Sequence, residues 1–125
     1  MAKPKDIQSL NHFVNKPTLN FSDIGANNTA AVKAAEGAVN ALSCINTNAS
    51  IRYLQLFDST TALVGSEVPV EVFLIPASNQ VVIGEDYFSR FGRWFGTGII
   101  FGFSTTQNTF TAGVAGDQTT IIQFK

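Results

Sequence analysis

The chain has 125 residues, a formal net charge of −1 and 14% charged residues, against the roughly 25% usual in globular proteins. This length corresponds to one domain. Its eight lysines and arginines are scattered, whereas binding to phosphates draws on clustered basic residues. No apolar run approaches the ~20 residues of a membrane span. We therefore expect neither nucleic acid nor a membrane as a direct partner.

The N-terminal segment, residues 1–28, shows no sustained period of 2 or 3.6 residues, and two prolines interrupt it. A short helix over Asp6–Val14 is compatible with the sequence. A wholly disordered tail normally carries fewer large apolar side chains than this segment does. We predict an extended N-terminal arm that docks on its own domain or on a neighbour. Its candidate anchors are Phe13, Leu19, Phe21 and Ile24.

From Thr29 onward, short β-like runs alternate with turn signals. This pattern predicts an antiparallel β-sandwich of about seven strands over residues 29–125, with a jelly-roll-like arrangement. The alanines of Ala31–Ala38 are also compatible with a short helix, but Gly37 interrupts it. The predicted strands are Ala30–Ala35, Gly37–Asn46, Ile51–Asp58, Val68–Pro76, Gln80–Gly84, Thr97–Thr105 and Thr119–Lys125.

The run Ile51–Asp58 carries apolar side chains on both of its alternating faces, which predicts a strand in the middle of a sheet, covered on both sides. The turn before it, Asn46–Ser50, uses residues that hydrogen-bond their own main chain. The only cysteine, Cys44, lies between apolar neighbours in the preceding run. Because no basic neighbour or helix N-terminus is visible beside it, we interpret Cys44 as a small buried hydrophobic residue.

The residues needed for catalysis are almost absent. The single histidine, His12, lies in the predicted arm, where no rigid scaffold would hold it beside a nucleophile. One histidine and one cysteine do not make a zinc site. The adjacent acids Glu85 and Asp86 point apart in a strand or turn, and no phosphate-binding glycine loop is present. We predict a protein that is not an enzyme and that needs no cofactor or metal.

The segment 84–103, GEDYFSRFGRWFGTGIIFGF, combines seven aromatic residues with two arginines. Most of the phenylalanines, Phe101 and Phe103 among them, are expected to fill the core. Aromatic residues and arginine are also the types enriched at interface hot spots. The candidate partner-facing residues here are Tyr87, Arg90, Arg93 and Trp94. An aromatic platform for sugar rings remains an alternative.

Residues 46–58, NTNASIRYLQLFD, are similar to a recurring N-T-x-A-S-x-R-Y-x-K-L-Y-D pattern, with Gln55 in place of its lysine and Phe57 in place of its tyrosine. In this pattern the chain resembles a family of small β-sandwich proteins encoded among the virion genes of tailed bacteriophages. The resemblance continues, in the same order, to the C-terminus. The further matching stretches are VPV at 68–70, LIPA at 74–77, FGTGI at 95–99, FSTT at 103–106, and AGD at 115–117 with the final FK.

This resemblance implies a virion structural protein, most simply a capsid decoration (cement) protein on the outer capsid surface, made in the host cytoplasm. The implied partners are the major capsid protein and further copies of the chain, with which it is expected to form a homotrimer. The alternatives are a tail, baseplate or head-fibre component, and a receptor- or glycan-binding β-sandwich that uses Tyr87, Arg93 and Trp94.

Overall fold

A computed structural model describes residues 31–114 and 116–125, together with the backbone of residues 19–23. These residues form two antiparallel sheets that pack against each other, as the prediction of an all-β sandwich requires. The elements are β1 (Leu19–Asp23), β2 (Gly37–Asn46), β3 (Arg52–Asp58), β4 (Glu71–Ile75), β5 (Asn79–Ile83), α1 (Glu85–Phe88), β6 (Arg93–Phe95), β7 (Ile99–Ser104) and β8 (Gln118–Phe124).

The first sheet, sheet A, has the strand order β1-β8-β2-β5, and β6 pairs with the first residues of β2. The second, sheet B, has the order β4-β3-β7. All of these strand pairs are antiparallel. The predicted mid-sheet strand is therefore confirmed, because β3 pairs on one side with β4 and on the other with β7.

The main core lies between the sheets and follows from period-2 alternation. Leu54 and Leu56 of β3 point inward and are fully buried, opposite Val39 and Cys44 of β2. Each large apolar side chain buried in this way contributes about 1.5–3 kcal/mol of transfer free energy. The phenylalanines assigned to the core are confirmed there. The buried ones in the segment 84–103 are Phe88, Phe95, Phe101 and Phe103.

A second apolar cluster lies on the outer side of sheet B. Phe57 of β3 and Ile100 of β7 point away from the main core, yet both are buried. Leu63 and Phe110, from the loops that follow β3 and β7, cover them. The two-sided burial predicted for the Ile51–Asp58 run thus comes from the other sheet on one side and from loops on the other.

The turn between β2 and β3 carries the chain from one sheet to the other. The Asn46 Nδ2 atom donates hydrogen bonds to the carbonyl oxygens of Ser50 at 2.9 Å and of Ile75 and Pro76 at 3.2 Å. The backbone N–H groups of Asn48 and Ser50 donate to the side-chain oxygens of Asn46 and Asn48. These bonds are the turn chemistry expected of Asn46–Ser50, and they also join sheet A to the end of β4.

Most strand predictions match with shifted ends, and Gly37–Asn46 matches residue for residue. One strand prediction is wrong: within Ala30–Ala35, the described residues form only an isolated bridge between Lys33 and Ile99. The helix alternative for Ala31–Ala38 is not formed either. The physical reason is that Val32 and Lys33 hydrogen-bond to Ile99 in sheet B immediately before the chain enters sheet A, so this segment makes the crossing.

Three elements were not predicted: β1, β6 and α1. Strand β1 lies inside the predicted arm and pairs through its backbone with β8, Leu19 opposite Phe124 and Phe21 opposite Ile122. The anchors Phe13 and Ile24 lie outside the described residues, as does the rest of the predicted arm. The jelly-roll arrangement and the extended arm remain predictions.

Candidate functional site

The exposed aromatic residues of the segment 84–103 separate from the buried ones by position. Tyr87, Phe91 and Trp94 are 56%, 50% and 58% exposed, whereas Phe88 and Phe95 are buried. Helix α1 is a single turn. Within it, Phe88 points into the core, whereas Tyr87 lies at the edge of the core. In β6, Phe95 points inward, and its neighbour Trp94 therefore points outward.

The carboxylate of Glu71 accepts hydrogen bonds from two of the candidate partner-facing residues. The Tyr87 hydroxyl donates to Glu71 Oε2 at 2.8 Å, and Arg93 Nε donates to Glu71 Oε1 at 2.8 Å. The hydrogen bond to Glu71 raises the pKa of Tyr87 above its usual value, because the phenol must keep its proton to donate. The Arg93 guanidinium also lies 4.9 Å from the centre of the Phe95 ring.

This arrangement joins β4 of sheet B to α1 and β6 on the same side of the sandwich. Tyr87 also packs edge-on against Phe73 of β4, with ring centres 5.3 Å apart. A ligand that accepted hydrogen bonds from the Tyr87 hydroxyl and Arg93 Nε would compete with Glu71 for both donors. Arg90, in the turn between α1 and β6, is exposed.

Trp94 lies elsewhere, on the outer surface of sheet A. Its backbone pairs with Ala38 of β2, so the two side chains share a face. The structure thus separates Trp94 from the Tyr87–Arg93–Glu71 cluster. Of the four candidates from this segment, Tyr87 and Arg93 both donate hydrogen bonds to Glu71, Arg90 is exposed in the turn, and Trp94 lies on a different surface.

The strands carry charge only at their ends. Every charged residue in a described strand is the first or last residue of that strand, and β2, β5, β7 and β8 contain none. The outward positions in the interior of the described strands are therefore uncharged. The charged strand residues are Asp23, Arg52, Asp58, Glu71 and Arg93.

Cys44 is fully buried and has no disulfide partner. Burial raises the pKa of its thiol to about 11, although the Thr120 hydroxyl donates to Sγ at 3.3 Å and partly offsets this effect. A thiol with this pKa stays protonated near neutral pH and is a poor nucleophile. The interpretation of Cys44 as a buried hydrophobic residue is confirmed.

Sequence analysis missed the two aspartates that organise the loops at the ends of the sandwich. Asp117 accepts hydrogen bonds from Asn48 Nδ2 at 2.9 Å and from Arg52 Nε at 3.3 Å. Burial opposes ionisation of Asp117, but these bonds and one from a backbone N–H outweigh it and hold the pKa below its usual value. Asp58 accepts from three backbone N–H groups, at Gly96, Thr97 and Gly98. An Asp flanked by turn residues was the only signal, and it is a common one.

Among the residues that the structure describes, no group of three His, Cys, Asp or Glu side chains is positioned to hold a metal ion. None of the helices in that part of the chain is long and apolar enough to cross a membrane.

Comparison with known proteins adds no relative. No protein-family description matches the chain, and neither a curated protein nor a solved structure does so.

Proposed function

We propose that the chain is a structural protein of a tailed-phage virion, a capsid decoration protein that stabilises the shell by bridging major capsid subunits. It acts by binding and transforms no substrate. Its partners are the major capsid protein and further copies of itself on the outer surface of the shell.

The observation that carries this proposal is the absence of charge from the outward strand positions. An uncharged face packs against another protein without removing ions from water, which costs several kcal/mol per ion that is left unpaired. Exposed aliphatic side chains on such faces, for example Val82 at 70% and Leu74 at 51% exposure, add apolar area to such a contact. At ~25 cal/mol per Å², a few hundred Å² of apolar contact contributes several kcal/mol before the cost of association.

The resemblance to phage virion β-sandwich proteins supports the same function and leaves two locations in the particle. Decoration of the shell requires hundreds of copies in each virion, whereas a tail, baseplate or head-fibre component requires a few to tens. Quantifying the protein against the major capsid protein in purified particles distinguishes the two. A cryo-EM map of the particle then locates its density directly.

The predicted arm offers a direct test of shell binding with the full-length chain. Phe13→Asp places a charge on a proposed anchor, so we expect co-sedimentation with undecorated shells to fall at least tenfold, about 1.4 kcal/mol or more of binding free energy. The matched control is His12→Asp, which adds the same side chain one position away and should bind like the wild type.

Both variants should keep the unfolding midpoint of the wild type, which separates loss of binding from loss of fold. If neither variant changes binding, Phe13 is not an anchor. If the wild-type protein itself binds neither shells nor tails, the proposed function is wrong.

A further inference from the structure

Strand β4 lies at an edge of sheet B, so its peptide groups point alternately toward β3 and away from the sheet. The hydrogen bonds of β3 determine which residues of β4 point outward. The Ser59 N–H donates to the Gly98 carbonyl at 3.2 Å, in register with the β3–β7 pairing, so odd-numbered residues of β3 bond to β7. Leu54 and Leu56 therefore bond to β4 on the other side. In agreement, the Leu56 carbonyl accepts a hydrogen bond at 2.9 Å from Val70, immediately before β4.

Val72 and Leu74 are the residues of β4 whose peptide groups face outward. Glu71 and Phe73, the β4 partners of those two leucines, direct their N–H and C=O groups toward β3. The alternate residues Val72 and Leu74 direct theirs away from sheet B, and no residue in the described part of the chain hydrogen-bonds to them there. This edge therefore offers two donors and two acceptors to a further strand.

Two other edges of the sandwich are partly blocked, whereas β4 is not. Strand β7, the opposite edge of sheet B, is bridged near its two ends by Lys33 and Ala112. In β5, an edge of sheet A, the Gln80 N–H donates at 2.7 Å to the side chain of the preceding residue. Protected edges commonly carry lysine or proline, and β4, EVFLI, has neither. Its single charge, Glu71, is already paired with Arg93 at 2.8 Å.

The free groups of β4 match the same groups on a second copy. In an antiparallel pair with Phe73 opposite Phe73 of the second copy, Val72 of each copy lies opposite Leu74 of the other. Each such pair exchanges two hydrogen bonds, which uses every free donor and acceptor of both edges. We propose that two copies of this chain associate through their β4 strands about a twofold axis at Phe73, which joins their sheets B into one continuous sheet. Because this contact consumes the β4 edge of each copy, it stops at two copies.

The side chains beside the axis suit this pairing, and a proline limits its length. Leu74 is 51% exposed in the monomer and would pack on the outer face beside Val72 of the second copy. Pro76, opposite Val70 of the second copy, has no N–H, so the ladder ends at Ile75. A ladder this short predicts an association that reverses on dilution. The inference does not depend on the proposed function.

Amide exchange of the full chain at two concentrations tests the register. The Val72 and Leu74 amides should exchange at least tenfold more slowly at about 1 mM than at about 10 μM, because pairing protects them. The Val82 amide is the internal control. Thr47 donates to Asp117 in the β2–β8 ladder, so even-numbered residues of β2 bond to β5 and the Val82 N–H points away from sheet A. Its exchange should not depend on concentration, while sedimentation equilibrium should show the mass rising toward that of a dimer.

A matched pair of proline variants tests the donors. Leu74→Pro removes an N–H that points out of an edge strand, where proline is tolerated, and deletes half of the intermolecular hydrogen bonds. The association should weaken at least tenfold. Val82→Pro makes the same change in β5 and should leave the association unchanged. Urea unfolding checks the fold of both variants. If either fails to fold, Leu74→Lys keeps the N–H but places like charges diagonally across the axis, and it should also weaken the association at least tenfold.

Four results would each overturn the proposal. They are a wild-type chain that stays monomeric at about 1 mM, concentration-dependent exchange at Val82 but not at Leu74, equal effects of the two folded proline variants, and a limiting mass above that of a dimer. A monomeric wild-type chain would include the case in which a strand of a different protein occupies this edge.

Discussion

The outer surfaces of the two sheets share the same alternating sequence pattern but differ in how far their side chains are buried. Both have uncharged outward positions. On sheet B, loops of the same chain cover Phe57 and Ile100 with Leu63 and Phe110. On sheet A, no described residue covers Val82 or Ile121, which stay exposed. The difference shows that an alternating strand pattern determines which side chains share a face, whereas connections elsewhere in the chain determine whether that face is buried.

Close packing on the outer side of sheet B explains why residue 102 of β7 is a glycine. A Cβ atom on Gly102 would lie 2.6 Å from the Phe110 ring and 2.7 Å from Leu63. Such distances are well below a carbon–carbon contact, so the cover fits only over a residue without a side chain. Sheet A has no comparable requirement at its centre, where Ser43 is only partly buried.

The largest expected effect comes from removing the cover on sheet B. Phe110→Ala deletes a ring that is 3% exposed and packs edge-on against Phe57, and it should lower the free energy of unfolding by about 3–5 kcal/mol. Ile121→Ala on sheet A should cost about 1 kcal/mol or less, because its side chain is already 42% exposed. Urea unfolding measures both. Equal losses would mean that the two surfaces do not differ in burial as described.

A smaller effect on the free energy of unfolding is expected where hydrogen bonds join the loop after β7 to sheet B. Gln55 Nε2 lies 2.9, 3.0 and 3.2 Å from the carbonyl oxygens of Thr106, Gln107 and Thr109. Gln55→Met keeps the shape but cannot donate, so we expect a loss of about 1–2 kcal/mol. Amide exchange of residues 105–111 should also accelerate.

The matched control is Gln123→Met on sheet A, where the side chain is exposed. It should change the free energy of unfolding by less than about 0.5 kcal/mol. A Gln55→Met protein that is as stable as this control would show that the three carbonyl groups do not depend on Gln55.

The smallest expected effect is a loss of stability at low pH in the loop that carries Leu63. The Glu67 carboxylate accepts hydrogen bonds from the backbone N–H groups of Val64 at 2.8 Å and Gly65 at 2.7 Å. The bond from Val64 is the main reason that the pKa of Glu67 is lowered. Because the folded pKa is below the unfolded value of about 4.3, the contribution of Glu67 to stability is present above that pH and is lost as the pH falls through the folded pKa.

Amide exchange of Val64 and Gly65, corrected for its intrinsic dependence on pH, should therefore increase below about pH 4, whereas that of β2 amides should not. Glu67→Gln should remove this pH dependence. An acid response that persists in the variant would assign it to another group.

Several features followed from the sequence because their causes are local. The alternation of Ile51–Asp58 gave the two faces of β3, and the apolar neighbours of Cys44 indicated its burial. Asn and Ser residues marked the turn at Asn46–Ser50, because these side chains hydrogen-bond nearby main chain. Strand β6 was missed since three residues are too few to show a period, and Ala30–Ala35 was assigned wrongly since its bonds to Ile99 join residues far apart in sequence.

The sequence by itself determined the fold class and the scarcity of charged residues, because side-chain alternation and composition can be read without knowing which distant residues meet. Only the tertiary structure decided that Arg93 and Tyr87 share Glu71 and that Trp94 lies on sheet A. It also decided that loops cover Phe57 and Ile100 of sheet B, whereas no residue in the described part of the chain covers Val82 of sheet A. Those outcomes depend on contacts between residues far apart in the chain, which become neighbours only when the two sheets pack together.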